Sequence, residues 1–226
     1  MTRKMLFDDW PARYDGWFET PIGKAVRTYE AEMIGELLSP EPGEKVLDAG
    51  CGTGVFTLDV LAAGARVVGL DISGPMLGIA RKKTEGYPFS AIQGDMLCLP
   101  FRDGYFDKAV SITALEFIAD ARSAVDELFR VTRPGGRVVV ATLNSLSSWA
   151  VRRKIKSQDD EEDVWKSAIF RSPDELLALN PCPGAERTAI HFEQDTDPHR
   201  VAEIERSGQS RRLRTGAFVA VRWEKP

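Results

Sequence analysis

The chain has 226 residues, of which 43% are hydrophobic and 28% are charged, and its formal net charge at pH 7 is -4. This length suits one sizeable α/β domain and is short for two full ones, and the composition predicts a well-filled core. The negative net charge argues against bulk capture of nucleic acid, which needs clustered positive charge.

The cysteines and histidines are sparse. Cys51, Cys98 and Cys182 show no CxxC spacing, and His191 and His199 lie far from the first two cysteines. We therefore expect no metal site and no disulfide framework. The N-terminus turns acidic within eight residues, unlike a secretory leader. Because no stretch approaches the roughly 18 uninterrupted apolar residues of a membrane span, we expect a cytoplasmic protein without a transmembrane segment.

Residues 11–38 are predicted to be helical. Their apolar side chains recur at spacings of three and four and form a single stripe, which is typical of one buried helix face. The stripe comprises Val26, Tyr29, Met33, Ile34 and Leu37. Two prolines and a glycine in the segment 39–44 then predict a turn.

From residue 45 onward, short apolar runs alternate with segments of helical periodicity. The predicted strands are 45–50, 66–71, 89–95, 106–112 and 136–143, and the predicted helices are 54–64, 74–84 and 120–132. Wholly apolar runs such as Val138 to Val140 are typical of a strand buried on both faces. The alternation predicts right-handed βαβ units and therefore an α/β fold with a doubly wound, mostly parallel sheet and helices on both faces.

The pattern changes in the last third of the chain. The segment 152–166 is a basic block followed by an acidic one, as in a solvated surface excursion. The alternative interpretation is an insertion that helps to cover a substrate, because Trp149 and Trp165 flank the charged segment. A short helix is predicted over 172–180. Two late strands would close the sheet as an antiparallel pair at one edge; they are predicted at 186–194 and 216–224.

The segment 46–56, VLDAGCGTGVF, joins the end of a predicted strand to the start of a helix. Its glycines follow a GxGxG pattern and are Gly50, Gly52 and Gly54. Such a turn lets the backbone approach a ligand closely and offers N–H groups to an anion. A dinucleotide fingerprint would have its last glycine where Val55 stands. Asp48, two residues before the first glycine, would repel a pyrophosphate and attract an ammonium group.

Two further acids follow the next predicted strands. Asp71 ends a strand 21 residues after Gly50, where an acid usually accepts hydrogen bonds from ribose hydroxyls, as in both NAD and S-adenosylmethionine. Asp95 is followed by apolar Met96, so that the carboxylate can accept from an adenine amino group while the side chain of Met96 flanks the ring. Together these acids favour a cofactor with an amino-acid head group, such as S-adenosylmethionine, over NAD.

These motifs resemble the class I, seven-stranded S-adenosylmethionine-dependent methyltransferases, in particular the small-molecule branch with the ubiquinone and menaquinone methylases. The matching stretches occur in order over roughly residues 10–145 and are VLDAGCGTG, VVGLDIS, GDMLCLPF, FDKAV and VTRPGGRVVV. The resemblance implies a Rossmann-like sheet with an antiparallel edge strand. It also implies S-adenosylmethionine as the cofactor and S-adenosylhomocysteine as its product.

The resemblance also implies which residues contact the cofactor. They are Asp48, Gly50 and Gly52 at the methionine end, Asp71 at the ribose hydroxyls, Ile72 and Met76 beside the adenine, Asp95 and Met96 at its edge and face, and the backbone near Ser111 on the methionine side. Asp48 has a second interpretation, in which its carboxylate caps the turn through backbone N–H groups. Met76 likewise has a second interpretation, as an ordinary core residue.

Fewer residues are predicted to contact the methyl acceptor. The aromatic cluster around Tyr14 and Trp17 is either a hydrophobic staple for the first helix or a lid over the methyl group, since this family commonly builds its substrate cover from N-terminal helices. Glu116 stands where family members often carry histidine, and it could act as a base or orient an amine. Tyr14 and Glu116 are therefore the candidate catalytic residues, and both are predicted, with Trp17, to contact the substrate.

We predict methyl transfer to an O, N or C atom of a small, partly apolar acceptor. The alternatives are a non-catalytic S-adenosylmethionine-binding module and methylation of a protein or nucleic acid, the latter disfavoured by the net charge. The chain is interpreted as a single domain made of a helical cap, a cofactor-binding core and a variable segment with closing edge strands. These parts span residues 1–40, 41–145 and 146–226.

Overall fold

The structure, a computed structural model, describes residues 5–157 and 164–226. The described residues form eight α-helices, seven strands and two short 3-10 helices, Leu115–Phe117 and Val164–Ser167. The helices are α1 Pro11–Phe18, α2 Pro21–Leu38, α3 Thr57–Ala62, α4 Gly74–Lys83, α5 Ala121–Val131, α6 Ser148–Ser157, α7 Pro173–Leu177 and α8 Val201–Ser210. The strands are β1 Lys45–Ala49, β2 Arg66–Asp71, β3 Phe89–Gln93, β4 Phe106–Ile112, β5 Thr132–Leu143, β6 Gly184–Ala189 and β7 Phe218–Glu224.

The strands form one sheet in the order β3-β2-β1-β4-β5-β7-β6. The first five strands are parallel to one another, and β7 is antiparallel to both β5 and β6. The predicted doubly wound, mostly parallel sheet and its antiparallel pair at one edge are therefore confirmed. Because the chain runs outward from β1 in one direction and from β4 in the other, a crevice opens between the carboxyl ends of these two strands.

Two apolar clusters cover the two faces of the sheet. Along β1, Val46 packs into the cluster that includes α2, whereas Leu47 packs into the cluster that includes α5. Successive side chains of a strand point to opposite faces, so a central strand between two helical layers must be apolar throughout. Val138, Val139 and Val140 have no exposed side-chain surface, as their wholly apolar run predicts.

The segment predicted as one helix over 11–38 is two helices with a break at Thr20. The backbone of Thr20 is extended, its hydroxyl accepts a hydrogen bond from the Gly23 N–H at 3.0 Å, and Pro21 occupies the first helical position. This cap and proline start a new helix more favourably than they continue the old one. The helix predicted at 54–64 also begins later, at Thr57, because the glycine turn before it is not helical.

The predicted basic-to-acidic segment 152–166 is described only in part. Residues 152–157 lie in α6, residues 158–163 lie outside the described residues, and Val164 begins a 3-10 helix. Within the described ranges, no helix is both long and apolar enough to cross a membrane.

A buried ion pair ties α8 to the loop after β6. The Nδ1 atom of His191 lies 3.2 Å from a carboxylate oxygen of Glu205, and the two side chains are 3% and 1% exposed. Burial opposes both charges, but the contact with Glu205 and the Leu213 carbonyl raises the pKa of His191 above 6.5, and His191 lowers the pKa of Glu205 below 4.5. The histidine contribution to stability is thus complete below pH 6.5 and is lost as the pH rises through the higher, folded-state pKa.

We expect His191→Gln to destabilise the protein by about 3–5 kcal/mol near pH 6, because it leaves the Glu205 carboxylate buried without a cation. The penalty should shrink well above the folded-state pKa, where the wild-type imidazole is neutral as well. Thermal unfolding of both proteins at about pH 6 and pH 9 measures the difference, with the exposed His199→Gln as control. A penalty that is constant with pH would contradict the charged pair.

Candidate active site

A cleft of about 480 Å³ opens at the carboxyl ends of β1, β2 and β4. A cleft of this size suits a small-molecule ligand. It brings together most of the residues predicted to form the site, namely Tyr14, Asp48, Gly50, Gly52, Asp71, Ile72, Met76, Asp95 and Met96. Three predicted residues, Trp17, Ser111 and Glu116, are not among those that line it.

The glycine turn forms the floor of the cleft. Gly50, Gly52 and Gly54 have φ angles of +77°, +53° and +78°, which L-residues with a side chain rarely adopt. A Cβ atom on Gly50 would lie 2.4 Å from the Cβ atom of Ala114, whereas one on Gly52 would meet no atom within 4 Å. Gly50 is therefore required for packing against the end of β4, and Gly52 leaves its space to the cleft.

The carboxylate of Asp71 holds this turn against the end of β2. One oxygen accepts a hydrogen bond from the Gly52 N–H at 2.9 Å, and the other accepts from the Ser73 N–H at 2.8 Å. Burial raises the pKa of Asp71, although these two backbone donors act in the opposite direction. A carboxylate has about four acceptor positions, so Asp71 can still accept further hydrogen bonds from a ligand in the cleft.

Asp48 is 2% exposed and accepts a hydrogen bond from the Thr57 hydroxyl at 2.5 Å. Burial raises the pKa of Asp48 to about 6 despite this bond. The carboxylate thus connects the end of β1 to the first residue of α3, which explains why an acid and a threonine flank the glycines. A buried carboxylate that lines a cleft is suited to receive a cationic group, which would lower its pKa again.

The loop after β3 forms the opposite wall. Asp95 accepts a hydrogen bond from the Leu97 N–H at 2.9 Å, and Met96 is 5% exposed. Ser111 lies behind Met96, with its hydroxyl 3.9 Å from the sulfur atom. Glu127 and Arg130 of α5 then fix the loop, because Glu127 accepts from the Leu99 N–H at 2.8 Å and Arg130 donates to the Leu99 carbonyl at 2.9 Å.

The N-terminal segment closes the cleft from above. Besides Tyr14, it contributes Met5, Leu6, Phe7 and Trp10. The ring of Phe7 lies 4.7 Å from that of Phe117, which follows β4. Residues 5–10 belong to the predicted cap, 1–40, but none of them was predicted to line the site; the one signal for them is the pair of aromatic side chains, Phe7 and Trp10.

Two sets of hydrogen bonds attach this segment to α4 and to the glycine turn. Asp8 accepts from the Ser73 hydroxyl at 2.7 Å. Asp15 accepts at one oxygen from the Thr53 hydroxyl at 2.6 Å and from the Lys83 ammonium at 2.7 Å. The cap is therefore anchored to the glycine turn itself.

The other aromatic candidates separate into two groups. Trp165 lines the cleft beside Phe117, at a ring distance of 5.5 Å. Trp17 instead packs against Phe18, and Trp149 is 4% exposed in the same apolar cluster, with its indole N–H donating to the Phe192 carbonyl. Helical periodicity alone does not separate these groups, because it does not say which helix face turns toward the cleft.

Comparison with known proteins adds three findings. A family profile described as a methyltransferase domain matches residues 47–140. The malonyl-[acyl-carrier protein] O-methyltransferase of Serratia marcescens is 39% identical over 131 residues, which cover 54% of this chain and 51% of that protein. The demethylmenaquinone methyltransferase of Beutenbergia cavernae is 36% identical over 187 residues, which cover 76% of each chain. This chain belongs to the class I S-adenosylmethionine-dependent methyltransferases.

The fold agrees with this membership. A crystal structure of an S-adenosylmethionine-dependent methyltransferase from Thermotoga maritima aligns with a TM-score of 0.76 and 24% identity, covering 98% of this chain and 99% of that chain. Among the curated relatives matched first, the aligned part spans only 64%, 51% and 34% of their own lengths. The methyltransferase family profile covers β1 to β5, which carry the glycine turn, Asp71 and Asp95.

Glu116 lies behind the wall of this methyltransferase cleft and has no exposed surface. One carboxylate oxygen accepts from the Leu143 N–H at 3.3 Å, and the other has no hydrogen-bond partner among the described residues. Burial raises the pKa of Glu116 to about 7, and it raises that of the neighbouring buried Glu30 to about 8. The two carboxyls also disfavour each other's ionisation.

Tyr14 and Thr113 are the two hydroxyl-bearing residues of the cleft wall in the described part of the chain, and Tyr14 lies near both acids. Both line the cleft, and the hydroxyl of Thr113 hydrogen-bonds to that of Tyr14. Burial, with Glu30 and Glu116 nearby, raises the pKa of Tyr14 far above its usual value. Thr113 has a φ of +49°, which is unusual for a β-branched residue. Its strained position was not predicted from the sequence.

We expect Glu116→Gln to stabilise the folded protein above pH 7 by as much as a few kcal/mol. A carboxyl with a raised pKa contributes stability below its unfolded-state value of 4.5, and this contribution is lost as the pH rises through about 7. The variant should therefore gain over the wild type in alkaline buffer and lose that gain below about pH 5. Urea unfolding at the two pH values measures it, and an equal effect at both would show that Glu116 is not a buried titrating acid.

Proposed function

We propose that this protein transfers the methyl group of S-adenosylmethionine to an O, N or C atom of a small, partly apolar acceptor. The observation that carries the proposal is the arrangement of carboxylates and glycines at the crevice between β1 and β4. Asp48 in β1, Asp71 at the end of β2 and Asp95 just after β3 all line one cleft, with the open face of Gly52 between them.

The residues present fit this cofactor. Asp48 is a buried carboxylate with no cationic partner among the described residues, so it is available to the methionine ammonium, and the space over Gly52 admits a ligand close to the backbone. Asp71 would accept from the ribose hydroxyls, with Ile72 and Met76 beside the adenine. Asp95 and Met96 would bind the adenine edge and face.

The proposed reaction requires the acceptor to be aligned with the methyl group, and it does not require a nucleophile from the protein. S-Adenosylmethionine supplies an electrophilic methyl group, so the work of the chain is to bind the acceptor in line and to exclude water. Phe7, Tyr14, Phe117 and Trp165 would cover the acceptor, and Tyr14 with Thr113 would orient its attacking atom. Glu116 would then influence the Tyr14 hydroxyl through its charge alone, as a positioning residue, because its own carboxylate does not line the cleft.

The proposal also includes the chemical class of the methyl acceptor. The relatives named above act on demethylmenaquinone and on a malonyl-[acyl-carrier protein], which favours a metabolite with an apolar or acyl body. A nucleic-acid acceptor fits poorly, since none of the described residues that line the cleft is a lysine or an arginine. We also propose a cytoplasmic protein in which the cap, the core and the closing strands form a single domain.

Binding of the cofactor product tests the cofactor half of the proposal. S-Adenosylhomocysteine should raise the melting temperature and bind in isothermal titration calorimetry, whereas NAD should do neither. A shift with NAD alone would reject the assignment. Turnover must be tested separately, because a solved [4+2]-cyclase aligns with this chain at a TM-score of 0.62 and 18% identity, and fold alone therefore does not establish methyl transfer.

A further inference from the structure

The cleft is lined by charges of one sign. Four carboxylates line it, those of Asp48, Asp71, Asp95 and Asp120. No lysine, arginine or histidine is found in its lining within the described ranges. The first three carboxylates are those proposed for the cofactor, so Asp120 is the charged group left to the acceptor. An anionic acceptor would find no counter-charge among the described protein groups that line the cleft.

Asp120 also caps the N-terminus of α5, which could otherwise bind an anion. Its two oxygens accept from the Ser123 N–H at 3.1 Å and from the Ser123 hydroxyl at 2.6 Å, which caps the N-terminus of α5. A helix start binds anions through free N–H groups and its dipole, and a capping carboxylate removes much of both. Asp120 itself is exposed at the mouth of the cleft.

Aromatic rings form the rest of the acceptor wall. Phe7, Trp10, Tyr14, Phe117 and Trp165 all line the cleft. The faces of such rings are negative and attract cations. Two of these rings already do so within the chain, because Arg13 lies 4.5 Å from the centre of Trp10 and Arg153 lies 3.9 Å from that of Trp165.

Two of the arginines near this wall, Arg153 and Arg171, interact with groups outside the cleft. Arg153 interacts electrostatically with Glu30 and Glu116. Arg171 is 7% exposed and donates to the carbonyls of Leu115 and Ile118. Neither lines the cleft, so neither offers a direct partner to a carboxylate or phosphate on an acceptor.

We propose that the acceptor is a small amine on an aromatic or aliphatic body, and that the cleft discriminates against carboxylates and phosphates. This rests on the proposed methyl transfer. The ammonium form is attracted to Asp120 and the ring faces, and it gives one proton to solvent at the mouth. The nitrogen lone pair then forms the new N–C bond while the C–S bond breaks and its electron pair stays on sulfur, which yields a methylammonium and S-adenosylhomocysteine.

Three ligands that share one ring system test this inference. 2-Naphthylmethylamine, 2-naphthol and 2-naphthoate are titrated by calorimetry into the protein saturated with S-adenosylhomocysteine. We expect the amine to bind about tenfold or more tightly than the carboxylate, with the neutral phenol between them. Equal or tighter binding of 2-naphthoate, or no binding of the amine, would overturn the inference. Failure of S-adenosylhomocysteine itself to bind would instead reject the proposed function.

Asp120→Asn is the matched variant, because asparagine caps a helix about as well as aspartate does: it keeps one acceptor oxygen for the Ser123 N–H while the charge is removed. The ratio of amine to 2-naphthol affinity should fall about threefold or more, while the affinity for 2-naphthol and the melting temperature stay the same. Asp126→Asn, a charge change on α5 outside the cleft lining, should leave the ratio unchanged. An unchanged ratio in Asp120→Asn would remove Asp120 from acceptor recognition.

Discussion

Asp71→Ala is expected to weaken S-adenosylhomocysteine binding by about 5- to 150-fold, which corresponds to about 1–3 kcal/mol for lost hydrogen bonds to a charged group. Two losses contribute. The proposed bonds to the ribose hydroxyls disappear, and the Gly52 and Ser73 N–H groups lose the carboxylate that holds the glycine turn at 2.9 and 2.8 Å. Isothermal titration calorimetry with S-adenosylhomocysteine measures the effect directly.

The control for this variant is a carboxylate at the opposite edge of the sheet. Asp107 stands near the amino end of β4, where it accepts from the Lys45 N–H and from the Arg133 guanidinium. Asp107→Ala should lower the melting temperature without changing the affinity for S-adenosylhomocysteine. If Asp71→Ala also leaves the affinity unchanged, Asp71 does not belong to the cofactor site.

Gly50→Ala and Gly52→Ala should separate folding from binding at the glycine turn. Both force an alanine into a positive φ, at a cost of about 1–2 kcal/mol each. At Gly50 the added methyl group also lies 2.4 Å from the Cβ atom of Ala114, and such overpacking costs about 1–3 kcal/mol more. We therefore expect Gly50→Ala to be the less stable of the two in the absence of ligand.

We expect the opposite order for ligand affinity, with Gly52→Ala the more strongly impaired of the two variants. The methyl group of Gly52→Ala would project into space that is free of protein atoms within 4 Å and that we assign to the cofactor. This variant should stay folded yet lose most of its S-adenosylhomocysteine affinity. Chemical unfolding and calorimetry on both variants provide the measurement. Wild-type affinity in a folded Gly52→Ala variant would contradict a cofactor that lies against this turn.

The sheet was predictable because its signals are local. Each signal can be recognised from a few neighbouring residues: the apolar run from Val138 to Val140, the glycines of the turn, and the acids at the strand ends. Because the strands are parallel, their carboxyl ends then lie at one edge of the sheet. Asp48, Asp71 and Asp95 therefore line one cleft as their sequence positions predict.

The acceptor wall was less predictable because it depends on how distant segments pack. Trp17 and Tyr14 occupy one short helix, but only Tyr14 lines the cleft. Phe7 and Trp10 lie before any strong periodic pattern and gain their position from Phe117 and from the bond between Asp8 and Ser73. The positive φ of Thr113 has no sequence signal, since a β-branched residue is among the least expected there.

Transfer of label from methyl-tritiated S-adenosylmethionine into a small-molecule metabolite extract tests the central claim most directly. Wild-type protein should produce a labelled small molecule together with an equal amount of S-adenosylhomocysteine, and Asp71→Ala at the same cofactor concentration should produce much less. A protein that binds S-adenosylhomocysteine but transfers no label above the protein-free blank would be a binding module. Label found only on the protein itself would likewise contradict the small acceptor.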